Sequence, residues 1–332
     1  MPERLLRPIE ASNEVGILVR SYGAMREEAR GMASEYVASR ASVAERTVFP
    51  IRVIAGRAGS LPNEPQIGTL FAGRYEIQSV LGKGGMGIVY RAHDREVEEL
   101  VAIKTLRHQA FLSEPSRLDR FRQEIRLARR ITHPNVLRTH DLGEWNGLPF
   151  LSMEFVEGRT LEQVIEDEGI LPSPVGLRIA KQICAGVAAA HEVGVIHGDI
   201  KPQNIIIEPV GRVKIMDFGS AHLADERGMT TKGTVVGTLG YMSPEQGRGL
   251  RLDFRSDIYS VGVVLYEIFT GSLPFEGDTP LAVVLKHMKD PPPRPRSKNP
   301  RIDPRIAANV MKCLEKEADA RFQTVGELYE AL

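Results

Sequence analysis

The 332 residues hold 43 Lys+Arg against 43 Asp+Glu, with 42% hydrophobic and 26% charged positions. Zero net charge leaves no overall field to recruit nucleic acid or an acidic membrane surface, so any partner must be recognised locally. The composition is that of a globular chain with material for a large core and about two domains, which excludes disordered and fibrous classes.

Met1 to Arg7 lacks the apolar core of a secretory signal. From Val15 to Tyr36, apolar or small residues recur at three- and four-residue steps: Val15, Leu18, Tyr22, Met25, Ala29, Met32, Tyr36. This is a heptad seam of about three repeats, the shortest that supports a coiled coil. Gly16, Gly23 and Gly31 interrupt it, each costing about 1 kcal/mol of helix propensity against alanine. Two readings stand: a helix packed on the remainder of the chain or half-ordered, and a helix through which the chain dimerises or binds a partner. A β-like run follows at Val48–Ile54, and Gly59–Pro65 has linker composition. Residues 1–68 are thus read as an N-terminal extension.

Beyond it, β-branched and apolar runs separated by glycines predict antiparallel strands that include Tyr75–Leu81, Gly87–Ala92 and Leu100–Leu106. Helical spacing follows at Leu118–Ile131 and stops before His133-Pro134. After Gly158 the pattern turns mainly helical, at Leu161–Glu168, Pro174–Val193, Ser256–Thr270, Pro280–Met288, Pro304–Glu315 and Val325–Leu332. Pro291–Pro300 is a proline-rich connector between two of these helices, with a polyproline docking motif as the alternative. The longest apolar run, Ile258–Thr270, is broken by Glu267 and falls short of the ~20 residues a bilayer demands. Cys184 and Cys313 lie in apolar helical runs and read as buried structural thiols, and the eight histidines form no metal-ligand spacing. A reducing cytoplasm is the expected compartment.

Gly82-Lys-Gly84-Gly85-Met-Gly87 is a G-x-G-x-x-G run, a weak signal alone. A dinucleotide fingerprint would open a helix here, but Ile88–Ala92 continues as a strand, so the glycines form a hairpin tip that can press backbone N–H groups onto phosphates. Val101-Ala-Ile-Lys104 brings an ammonium on the next strand, and Glu124 on the following helix is a carboxylate suited to orient it. His197-Gly-Asp199-Ile-Lys201-Pro-Gln-Asn204 and Asp217-Phe-Gly219 then follow apolar strands. Two strand-end loops bearing Asp, Asn and Asp suit oxygen coordination of a hard cation such as Mg²⁺ that bridges nucleotide phosphates.

Together these motifs, in this order, resemble bacterial Hanks-type serine/threonine protein kinases over Arg74–Leu332. The resemblance implies an α+β, bilobal kinase fold: a small antiparallel β lobe with one key helix at 75–157 and a larger, mainly helical lobe at 158–332, within a domain at 69–332. It implies transfer of the ATP γ-phosphoryl group to Ser/Thr hydroxyls of proteins, autophosphorylation, and Mg²⁺ with Mn²⁺ as a substitute. Residue by residue, Lys104 resembles the phosphate-clamping lysine, Glu124 its partner, Asp199 the acceptor of the hydroxyl proton and Lys201 the cation steadying the γ-phosphate. Asn204 and Asp217 resemble the metal ligands. Leu81, Gly82, Lys83, Gly84, Gly85, Met86, Gly87, Val89 and Ala102 match the nucleotide-binding strands, Glu154 and Val156 the hinge whose backbone receives adenine, and Met153 the residue guarding the rear pocket. Thr230, Thr231, Thr234 and Thr238 fall in the activation segment, Thr238 tying the substrate-docking loop to Asp199 and Lys201. Asp257 resembles the acid that anchors the catalytic loop, and Glu245 with Arg321 an ion pair of the large lobe.

Gly198 stands where most relatives have arginine before the catalytic Asp, and His222 where they often supply a second cation. Without those permanent charges a phosphothreonine gains fewer charge-assisted bonds, so loop phosphorylation is expected to be dispensable for basal activity. His-Gly-Asp also occurs in aminoglycoside-type phosphotransferases, and a pseudokinase scaffold is the second alternative; Lys201 and the Thr238–Glu245 docking segment speak against the first, the full polar set against the second.

Overall fold

In the computed structural model, the structure describes residues 64–84, 87–106, 125–218 and 239–332. The seam at 15–36, the run at 48–54, most of the 59–65 linker, and residues 118–124 of the first expected helix lie outside them. Every element named below belongs to a single unit of the chain.

Strands β1 (Leu70–Phe71), β2 (Tyr75–Gly84), β3 (Gly87–Asp94), β4 (Glu99–Leu106), β5 (Thr139–Trp145) and β6 (Leu148–Glu154) form one antiparallel sheet. Its order is β1-β2-β3-β4-β6-β5. Register shifts at Ile77/Ser79 and Val80/Gly82 add bulges to β2 that bend the strand. Because side chains alternate faces, Val101 and Ile103 of β4 join Phe71, Tyr75, Ile77, Tyr90 and Phe150 in one core. Ala102 faces the other way, into a cluster with Leu137, Leu151, Met153 and Val156. Lys104 follows Ala102 on that second face by the same period of two. The β5–β6 hairpin is absent from the expectation above; its turn is Asn146-Gly147, both at positive φ (50° and 77°), the geometry that Asn-Gly favours in two-residue hairpins.

A second sheet, β7 (Arg159–Thr160), β8 (Ile205–Ile207) and β9 (Val213–Ile215), lies among helices. These are α1 (Leu161–Glu168), α2 (Ser173–Glu192), α3 (Pro244–Gly247), α4 (Phe254–Thr270), α5 (Pro280–Lys289), α6 (Pro295–Lys298), α7 (Pro304–Cys313) and α8 (Val325–Ala331). Helix α4 is buried nearly all round, the signature of a central helix. It begins two residues before the expected Ser256 because Asp253 caps it, accepting from Arg255 N–H, and Gly271 in the left-handed region closes it. The proline-rich connector holds α6: Pro295 occupies the first helical position, where a missing N–H costs nothing, and is buried.

Close approach fixes the helix packing. A Cβ on Gly176 of α2 would lie 2.8 Å from Ile268 Cγ2. One on Gly262 of α4 would overlap the Cβ of Cys313. Gly262→Val is therefore expected to cost about 1–3 kcal/mol through overpacking, read as a lower denaturant midpoint at unchanged slope. Both cysteines are free and buried, and burial pushes the Cys184 thiol up to about 12, so it stays protonated and inert.

Candidate functional site

The segment between α2 and β8 is held from below by α4. Asp257, fully buried, accepts from the backbone N–H of His197 and of Gly198, both at 2.8 Å, and from His191 Nε2 at 2.8 Å. A carboxylate only accepts, so the His191 proton sits on Nε2. Gly198 adopts φ 69°, a conformation that costs an L-residue about 1–2 kcal/mol and glycine almost nothing. Its carbonyl accepts from Gln246 Nε2 at 2.6 Å, so this peptide is bonded on both sides.

His197 joins this loop to the end of β9. Its Nδ1 accepts from Asp199 N–H (3.2 Å), which leaves the ring proton on Nε2 to donate to Met216 O (3.0 Å). The ring packs on Phe218 at 4.6 Å between centroids. One imidazole thereby holds Asp199 and both neighbours of Asp217, Met216 and Phe218.

Five polar side chains converge above it. Lys201 Nζ donates to Asp199 Oδ2 at 2.6 Å, and Asn204 Nδ2 donates to Asp199 O at 2.8 Å and to Oδ2 at 3.2 Å. From the small sheet, Lys104 Nζ donates to Asp217 Oδ1 at 2.6 Å. Burial opposes ionisation of Asp217, but the adjacent Lys104 ammonium prevails and holds the carboxyl below its usual range. Asp217 has φ 66°, a strained value for a non-glycine residue that aims its carboxylate at Lys104. The pairing register sets Lys104 opposite Val89 on β3 and Leu151 on β6, so a one-residue slip would turn the ammonium into the other core.

Of the expected nucleotide residues, Leu81, Val89, Ala102, Met153 and Val156 share one apolar cluster, with Ile206 of β8 and Met216 completing it. The sequence reading missed Ile206, the middle of an Ile-Ile-Ile run. It also missed a side-chain role for Glu154, whose carboxylate accepts from Lys214 Nζ at 2.8 and 2.9 Å. A lysine inside the buried strand Val-Lys-Ile was the available signal, because a buried ammonium requires a partner. Gly82, Gly84 and Gly87 lie on the facing ends of β2 and β3, where Gly84 pairs with Gly87, and Lys83 between them is exposed. Glu245 binds Arg321 in a two-pronged pair (2.7 and 2.9 Å). Glu124, Gly85, Met86, Thr230, Thr231, Thr234 and Thr238, together with Gly219 and His222, lie outside the described residues.

Asn204 spends its amide nitrogen on Asp199, which leaves its carbonyl oxygen, with the Asp217 carboxylate, as a pair of hard oxygen donors. Two protein oxygens suit Mg²⁺, which keeps several waters and takes phosphate oxygens for the rest. Among the described residues no group of three or more His, Cys, Asp or Glu forms a metal cluster, and no helix is long and apolar enough to cross a membrane.

The family profile for the protein kinase domain matches residues 75–329. The chain belongs to the protein kinase family. This family uses ATP with a divalent metal, and its bilobal fold, an antiparallel sheet above a helical lobe, is the one described here. The kinase chain is 40% identical over 260 residues to the serine/threonine-protein kinase PknB of Mycobacterium leprae, covering 77% of this chain and 42% of that protein. It is 37% identical over 262 residues to PrkC of Bacillus subtilis, covering 79% and 40%. A probable serine/threonine-protein kinase of Clostridium perfringens is 37% identical, with 79% and 38% covered. The kinase chain thus spans about two fifths of the length of these relatives. Among solved structures, the PknI kinase domain of Mycobacterium tuberculosis superposes with a TM-score of 0.64 at 25% identity, covering 81% of this chain and 98% of that one.

Proposed function

We propose that this chain is a cytoplasmic serine/threonine protein kinase that transfers the ATP γ-phosphoryl group to Ser/Thr hydroxyls of proteins, itself included, with Mg²⁺ or Mn²⁺. The observation that carries the reading is the pairing of Lys104 with Asp217 at 2.6 Å and of Lys201 and Asn204 with Asp199 at 2.6 to 3.2 Å, with Lys201 near enough for its charge to act on Asp217. Phosphoryl transfer through a loose transition state asks for positioning and charge stabilisation, which is what such a group supplies. In this reading the apolar cluster around Ala102 and Ile206 takes adenine, beside the Glu154–Val156 backbone. Lys104 passes from the Asp217 carboxylate to phosphate oxygens. Asp217 and Asn204 would hold the metal, which would supply neutralisation of phosphate charge. Asp199 orients the acceptor hydroxyl and receives its proton, while Lys201 faces the transferring group. Glu124 orients Lys104, and Thr238 ties the docking loop to the Asp199–Lys201 pair.

Radiolabelled ATP offered with casein and, separately, with aminoglycosides tests the reading. Label in casein, none in aminoglycoside, and loss of labelling in Lys104→Met are expected; a protein that labels neither casein nor itself overturns it. Within the same reading the kinase domain is 69–332, and sedimentation of the full chain and of residues 69–332 separates the two readings of the seam at 15–36: equal monomers for a helix packed on the remainder of the chain or half-ordered, a dimer of the full chain alone for a dimerising helix.

Gly198 brings no cation to the activation segment. The triple replacement of Thr230, Thr231 and Thr234 by alanine is therefore expected to keep casein phosphorylation within about tenfold of the parent; a larger loss overturns this expectation.

A further inference from the structure

Gln246, the third residue of α3, joins two segments that lie 48 residues apart in the chain. Its Oε1 accepts from Ser243 N–H at 2.9 Å while Ser243 Oγ accepts from Gln246 N–H at 3.3 Å, a reciprocal capping box. Ser243 N–H can only donate, so the amide oxygen faces it and the amide nitrogen faces the Gly198 carbonyl, 2.6 Å away. Turning the amide over would set donor against donor and acceptor against acceptor. One side chain therefore bonds the end of segment 239–243 and the catalytic loop at once.

The mount of Gln246 is rigid. Its neighbour Glu245 accepts from Ser256 Oγ at 2.7 Å and from Arg321 at 2.7 Å, and the Tyr241 carbonyl accepts from Ser260 Oγ at 2.8 Å. Segment 239–243 and α3 are thus fixed together on α4. On the other side, the group that Gln246 holds is the peptide between Gly198 and Asp199. The floor of the loop takes the N–H groups: Asp257 accepts from Gly198 N–H at 2.8 Å and His197 Nδ1 from Asp199 N–H at 3.2 Å. The carbonyl turns the other way, to α3, in the left-handed conformation of Gly198. Without that bond the 198–199 peptide can rotate about its flanking torsions, and the Asp199 carboxylate is carried with it.

We propose that Gln246 is a positioning residue for phosphoryl transfer: by holding the Gly198–Asp199 peptide from the side of segment 239–243, it keeps the Asp199 carboxylate in register with the acceptor hydroxyl. The inference rests on the kinase reading, in which Asp199 receives the hydroxyl proton and 239–243 belongs to the docking segment. A small displacement of a reacting group is costly in rate, so one bond to its peptide has leverage on turnover.

The test is steady-state kinetics of the full chain with dephosphorylated casein and ATP. Glutamate closes a capping box as glutamine does but, ionised, has no N–H for Gly198, so Gln246→Glu separates the two bonds. It is expected to lower kcat on casein about tenfold, the worth of one neutral hydrogen bond, at unchanged KM for ATP. Should Gln246→Glu not fold, Gln246→Met, which brings no charge, is expected to show the same loss. A double-mutant cycle distinguishes positioning from a structural role: combined with Asp199→Asn, the Gln246 substitution should lower the residual kcat by less than about twofold, because groups that act as a unit are not additive. A single-variant kcat within about twofold of the parent, or a tenfold loss that persists in full beside Asp199→Asn, overturns the proposal alone. A parent protein that labels no casein overturns the kinase reading and the proposal with it.

Discussion

Asp199→Asn is expected to lower turnover on casein by about 10²–10⁴-fold, the usual worth of a positioned general base, while leaving ATP affinity nearly unchanged. The asparagine keeps the side chain's shape and an oxygen for Lys201, now 2.6 Å from Asp199 Oδ2. It removes the negative charge and the capacity to take a proton. The neighbouring donors, Asn204 Nδ2 and Lys201 Nζ, both aim at the same oxygen, which makes this carboxylate a fixed acceptor. Parallel measurement of casein labelling and of nucleotide binding by fluorescence checks the split. A loss under about threefold would remove Asp199 from the chemistry.

Arg321→Met is expected to cost about 3 kcal/mol of unfolding free energy, because it strands a half-buried carboxylate and three backbone carbonyls. Arg321 is fully enclosed; it binds both oxygens of Glu245 and also donates to the backbone carbonyls of Arg255, Glu315 and Lys316. Burial alone would raise the Glu245 pKa, yet hydrogen bonds from Arg321 and Ser256 hold it below the ordinary value. A group whose folded pKa is depressed contributes stability that is full above its unfolded pKa of about 4.3 and lost as pH falls through the folded value. Acidification from neutrality to about pH 5 should therefore leave the gap between parent and Glu245→Gln constant, and further acidification should narrow it. Urea denaturation of parent, Arg321→Met and Glu245→Gln across that range tests both statements. A gap that widened below pH 4 would show that the pair does not stabilise the fold.

The strands Tyr75–Gly84 and Gly87–Asp94 and the longer helices of the large lobe are legible in the sequence because alternation, caps and glycines are local signals, whereas the four-residue helices α3 and α6 are too short to show a period; Leu161–Glu168 emerges with the expected limits, and α4 shifts only by its Asp253 cap. The polar residues of the site are legible for a related reason: Asp199, Lys201 and Asn204 lie within one turn of chain, so spacing alone groups them. The β5–β6 hairpin was readable at Asn146-Gly147, but its strands alternate too weakly to stand out, β5 having no fully buried residue. Other features belong to the tertiary structure alone. Lys104 meets Asp217 across 113 residues, Lys214 meets Glu154 across 60, and Tyr259 meets His287 across 28. A period of two tells which face of a strand a lysine occupies, but register between strands and the crossing of helices choose its partner. The sequence by itself determined the two kinds of lobe and the reactive groups that each carries. Which carboxylate receives Lys104, which imidazole nitrogen keeps its proton and which glycine must bend leftward were decided by packing, because only the folded core brings those atoms within a hydrogen bond of one another.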